Sequence, residues 1–165
     1  DAILYVKTMQ ALGYKPPIVI GDNSGFSDAA FLKNVGSLAQ GAINRSAWDI
    51  GQPDSVTYKI NEMYKKRTGY DLDDSAGRAM QGFFTLIEAI NRAGSTDPAK
   101  IQAALKATDL KPNQLMMGYK GVKFDEKGNN IMASALLIQV QGDKYVAVWP
   151  KATVTAPLQL PYKGW

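Results

Sequence analysis

The chain has 165 residues, 45% of them hydrophobic, enough for one domain with a real core. Its 19 Lys and Arg against 15 Asp and Glu give a net charge of +4. It contains no His and no Cys, which removes Ser-His-Asp relays, imidazole bases, ordinary catalytic zinc sites, thiolate nucleophiles, disulfides and iron–sulfur ligation. Acid–base work would fall to Asp, Glu, Lys or Tyr, and neither cofactor nor metal is expected. The cations are scattered except at Lys65-Lys66-Arg67, a solvated helix face rather than a nucleic-acid patch.

The chain enters an amphipathic helix at once, with Ile3, Leu4, Val6, Met9 and Leu12 apolar up to Gly13. A start without a lead-in is expected of a piece cut from a longer protein, and neither a signal peptide nor a membrane-spanning run is read. Gly13-Tyr14-Lys15-Pro16-Pro17 hands over to the apolar run Ile18-Val19-Ile20, read as a buried strand. A helix follows from about Asp28 to Gln40, with Phe31, Leu32, Val35 and Leu38 as its stripe. Gly41 to Ser46 reads as the next strand, parallel to the first. This alternation predicts an α/β fold, a parallel sheet with flanking helices.

Turn formers from Asp49 to Ser55 precede a helix marked by Val56, Ile60, Met63 and Tyr64, ending near Gly69. The next helix follows Asp73-Asp74-Ser75, with Ala76, Ala79, Met80, Phe83, Ile87 and Ile90 at helical spacing and Gly94 as its stop. Thr96-Asp97-Pro98 starts a short helix to Thr108. Beyond Pro112 the character turns to β: Gly121 to Phe124, then a C-terminal β-hairpin of Ala135–Val140 and Tyr145–Trp149 about Gly142. Pro150 to Trp165 reads as an extended arm.

Three stretches are candidates for chemistry. Gly21-Asp22-Asn23-Ser24-Gly25 sits between a strand end and a helix start, where α/β sheets bind ligands. Backbone N–H groups there suit a carboxylate, while Asp22 repels phosphate and favours ammonium or hydroxyl. The spacing matches neither a dinucleotide fingerprint nor a phosphate loop. A capped surface turn is the alternative. Arg45, Ser46 and Trp48 end the neighbouring strand, where Arg45 offers a fork for a carboxylate and Trp48 a flat wall. Here the alternative is that Arg45 pairs with an Asp and Trp48 packs in a loop. Asp71 to Ser75 lacks the glycine and twelfth-position carboxylate of a calcium loop, so it reads as helix capping. Arg78, one turn further, reaches a cleft if the helix start faces one, and Met116-Met117 reads as core filling.

Together the segments "ALGYKPPIVIG", "SDAAFLKNVG", "GAINRSAW", "EMYKKRTGYD", "EAINRAGSTDPAKIQAALKATD", "GVKFDEKGNN" and "ALLIQVQGDKYVAVWP" resemble the second half of a type I periplasmic binding protein. The nearest likeness is to the branched-chain amino acid substrate-binding proteins of ABC transporters, and it runs from Asp1 to Pro150. The resemblance implies two α/β lobes closing on a ligand, with no chemistry done, and delivery to an ABC permease from the periplasm or another extracytoplasmic space. It implies an amino acid or related small carboxylate, aromatic acids included, and no nucleic acid. It gives Asp22, Asn23 and Ser24 the second-lobe contacts, Asp22 meeting an ammonium group. It divides the chain into a second-lobe segment (1–70), a return to the first lobe (71–130), a second-lobe hairpin (131–150) and a tail (151–165). The first lobe's ligand-gripping strands are expected to be absent, so self-association, with swapped elements, or an origin by proteolysis is expected. A ligand-sensing domain of a receptor or regulator is the alternative function, and an α/β enzyme using Asp22 and lysines a further one.

Overall fold

In the computed structural model, which describes residues 1–22, 24–48, 50–51 and 53–165, four strands make the main sheet. β1 (Ile20–Gly21) lies parallel to β2 (Ile43–Ser46), with Ile20 opposite Ile43 and Gly21 opposite Asn44. β5 (Leu136–Gln141) runs antiparallel to β2, and β6 (Lys144–Trp149) closes the hairpin on the far side. The α/β class is as read from the sequence. Because the hairpin docks on β2, the parallel pair becomes part of a mixed sheet. A second, two-stranded sheet pairs β3 (Asp109–Leu110) with β4 (Val122–Lys123).

Helices α1 (Ala2–Ala11) and α2 (Ala29–Val35) cover one face of the main sheet through Val6, Met9, Phe31, Val35 and Val140. Only Val19 of the apolar run before Gly21 is buried, whereas Ile18 and Ile20 are open. The strand read as buried is therefore an edge strand covered on one face, a distinction a short apolar run does not carry. Leu4 and Leu12 of the α1 stripe are likewise exposed. The helix expected to reach Gln40 breaks at Gly36, whose φ of 58° is left-handed, and continues as a 3-10 turn, Gly36–Ala39.

α3 (Val56–Thr68) starts at the Ser55 cap and stops at left-handed Gly69. Its buried residues are Thr57 and Asn61; of the side read from Val56, Ile60, Met63 and Tyr64, Ile60 and Tyr64 pack against a cluster of Trp48, Leu72 and Met116, while Val56 and Met63 are turned outward. α4 (Asp74–Ala93) is capped by Asp73, whose side chain accepts from Ala76 N at 2.8 Å. It buries Gly77, Gln81, Thr85 and Ala89, while Phe83 is 59% exposed and Phe84, Leu86 and Ile87 are open beside it. α5 (Pro98–Lys106) packs along α4, where Arg92 donates to the Ala104 carbonyl at 2.8 Å.

The tail read as an extended arm opens with a 3-10 turn, Lys151–Thr153, and is bound down beyond it. Gln159 exchanges hydrogen bonds with buried Gln139 at 2.7 and 2.9 Å. Tyr162 N donates to the Pro17 carbonyl at 2.8 Å and Lys163 N to that of Gln40 at 3.0 Å. The Tyr162 ring sits in the α1–α2 core, its hydroxyl donating to the Leu38 carbonyl, and burial pushes the phenol up to about 12. Tyr162→Ala is expected to lower stability by about 3 kcal/mol in urea unfolding, while exposed Leu160→Ala stays within about 0.5 kcal/mol. Equal effects would place the tail outside the core.

Candidate ligand-binding site

Parallel pairing brings the carboxyl ends of β1 and β2 side by side, so the residues at those ends meet. Arg45 Nε donates to Asp22 Oδ1, with side chains 50% and 73% exposed. At that exposure the pair adds at most about 1 kcal/mol to stability, so both charges remain available to a ligand. Ser24 and Gly25 follow in a 3-10 turn, Ser24–Phe26. Gly21 admits no side chain, because a Cβ there would lie 2.4 Å from the Phe26 ring. Asp28 caps α2 by accepting from Ala30 N at 2.6 Å. Asn23 lies outside the described residues.

Ser46, the next residue along β2, belongs to a different cluster. Its hydroxyl donates to Asp74 Oδ1 at 2.6 Å and accepts from Trp48 N at 2.9 Å. Ala47 N reaches the same Asp74 oxygen at 3.2 Å. Arg78 holds the carboxylate from the other side, Nε to Oδ2 at 2.7 Å and Nη2 to Oδ1 at 3.3 Å, and its Nη1 lies 3.4 Å from the Tyr119 hydroxyl. Burial pushes the Asp74 carboxyl up, but hydrogen bonds from Arg78, Ser46 and Ala47 N and the Arg78 charge together hold it below the ordinary value. The same bond with Asp74 raises Arg78.

The Trp48 ring packs with Ala47, Leu72, Met116 and Met117 and is only 6% exposed. A Cβ on Gly77 would stand 2.4 Å from it, so α4 meets β2 closely only because residue 77 is glycine. The indole N–H donates to the Leu72 carbonyl at 2.9 Å. Gln81 Oε1 accepts from Met116 N at 2.7 Å, and Thr57 Oγ1 donates to the Met116 carbonyl at 3.0 Å.

The sequence-derived candidates thus form two groups at one end of the sheet. Asp22 and Arg45 meet beside the Ser24–Gly25 turn, and Ser46 meets Arg78 through Asp74. Trp48 is packed inside, in the loop role weighed against the flat wall. Asp74 and Tyr119 were missed. With Asp73 serving as the cap, an Asp four residues before an Arg was the available signal for Asp74. A cavity of about 980 Å³ is an open groove between α2, α3 and the hairpin. Trp48 borders it, whereas Asp22, Arg45, Ser46 and Arg78 are not among the residues that line it. Among the described residues no cluster of acidic side chains is placed to hold a metal ion.

This chain has the α/β architecture of part of the type I periplasmic-binding-protein fold, and solved binding proteins are among the structures it superimposes on. One is the leucine-binding protein LivK from Thermotoga maritima, with a TM-score of 0.68 and 21% identity over 88% of this chain and 40% of that one. Another is the branched-chain amino acid transporter substrate-binding protein LivJ from Streptococcus pneumoniae in complex with isoleucine. Its TM-score is 0.69, with 16% identity over 97% of this chain and 42% of that one. In sequence the chain is 29% identical to the Leu/Ile/Val-binding protein homolog 7 of Brucella abortus over 178 residues, 98% of this chain and 41% of the relative. The chain spans about two fifths of the length of the curated relatives it matches. These relatives are binding proteins, not enzymes. No protein-family model matches.

Because the folded Asp74 is held below its unfolded value near 3.9, its contribution is complete above that value and fades as pH falls through the folded one. Asp74→Asn is expected to cost about 3 kcal/mol in urea unfolding near neutral pH, and the gap to the parent chain narrows at about pH 3. A gap independent of pH would show that the charge of Asp74 contributes nothing.

Proposed function

We propose that this chain supplies part of an extracytoplasmic solute-binding protein of an ABC importer, and that Asp22 and Arg45 grip an amino acid. The carrying observation is the match along 98% of the chain to a Leu/Ile/Val-binding protein homolog. The exposed ion pair at the strand ends adds a chemical reason. Its carboxylate complements an ammonium group and its guanidinium a carboxylate, so a zwitterion can replace each partner by its like. An aliphatic side chain fits this reading better than an aromatic one, since the Trp48 ring that favoured aromatic acids is spent in packing. The bound solute passes to a membrane permease, and closure of two lobes about the Asp71–Ser75 crossover holds it. Segments 1–70 and 131–150 then belong to one lobe and 71–130 to the other.

An NMR titration of the chain with L-leucine is expected to shift amides of residues 21–25 and 45–48, with weak affinity, and Asp22→Asn to abolish the shifts. If leucine, isoleucine, valine and phenylalanine all leave these amides unmoved, the site assignment fails. The open faces of β1 and α4 also lead us to propose self-association. Sedimentation velocity should then show a concentration-dependent species above 18.0 kDa, and a monomer at every concentration would exclude it.

A further inference from the structure

α3 turns a regular stripe away from the protein. Val56 and Met63 stand seven residues apart, two helical turns, and are 53% and 63% exposed. On the same side stand Lys59, Lys66 and Arg67, all exposed and none in an ion pair among the described residues. The opposite side of the helix is anchored: Thr57 bonds the Met116 carbonyl, and Asn61 bonds Asp71 and Leu72 N at 2.8 and 2.7 Å. Lys65 leans to that side too, paired with Asp71. Glu62, which borders the groove, is the one carboxylate within α3.

We propose that this stripe docks on an anionic lipid surface, the three cations meeting headgroup charges while Val56 and Met63 enter the interface. The helix dipole accounts for cations in the last turn, but not for Lys59, nor for large apolar tips held out among them. The two apolar tips lie about 10 Å apart along the helix, and Met63 and Lys66 line a shallow depression with Glu62 and Lys65. A stable protein partner needs about 800 Å² per side, more than two isolated tips offer. A flat charged surface sets no such minimum, since each cation near it strengthens binding independently. The net charge of +4 adds a favourable long-range field.

The test is co-sedimentation with vesicles of phosphatidylcholine alone or mixed equally with phosphatidylglycerol. The chain should bind only the anionic vesicles and be released when salt rises from about 0.05 to about 0.5 M. Lys66→Gln with Arg67→Gln should weaken binding about 30-fold, each cation contributing a factor of about 5. Removing the same charge from α5, as Lys100→Gln with Lys106→Gln, should change it less than about twofold. Equal losses from both double variants would reduce the effect to net charge and overturn the stripe. No binding to anionic vesicles, or equal binding to both kinds, would overturn the proposal outright. Met63→Ser should weaken binding several-fold at unchanged charge; unaltered binding would overturn the apolar contact.

Discussion

One buried carboxylate joins the two parts of this protein. Asp74 gathers Ser46 and Ala47 N from the end of β2 and Arg78 from its own helix. A buried carboxylate is costly unless hydrogen-bonded and paired, and here the bonds and the charge outweigh the burial. The first residue of α4 is thereby fixed against the strand that carries Arg45. The Trp48–Gly77 contact and the Gln81 bond to Met116 N lock the same approach from either side.

That junction explains why only part of each sequence stripe is covered, Ile60 and Tyr64 in α3 and Ala76 and Met80 in α4. α4 presents Gly77, Gln81 and Thr85 to the protein, because a close approach to Trp48 needs glycine and the turning chain at Met116 needs a hydrogen-bond acceptor. Its Phe83, Phe84 and Ile87 are left on the other side. α3 behaves alike, since Asn61 and Thr57 satisfy backbone groups of the surrounding loops and so turn inward. Polar side chains took the inward places where loop backbone had to be satisfied.

The candidate site was partly legible. Asp22 and Arg45 could be named because one follows a strand and the other stands near the end of the next, and parallel neighbours bring such ends together. Ser46 and Arg78 could be named singly, but Asp74, which binds both, read as one more acidic residue at a helix start. Trp48 could be read as a pocket wall or as loop packing, since nothing in the neighbouring residues announces that Gly77, Leu72 and Met116 will surround it.

Sequence by itself determined the elements that depend on local chemistry. Ser55, Asp73 and Asp97 cap helices, Gly69 and Gly94 end them, and Gly142 turns the hairpin, because each acts on backbone within a few residues. Tertiary structure alone decided which face of each helix is covered, that the hairpin joins β2 antiparallel, and that Tyr162 seals the core. Periodicity marks an apolar side, but burial depends on what the rest of the chain lays against it. For α3 and α4 that was decided by partners many residues away.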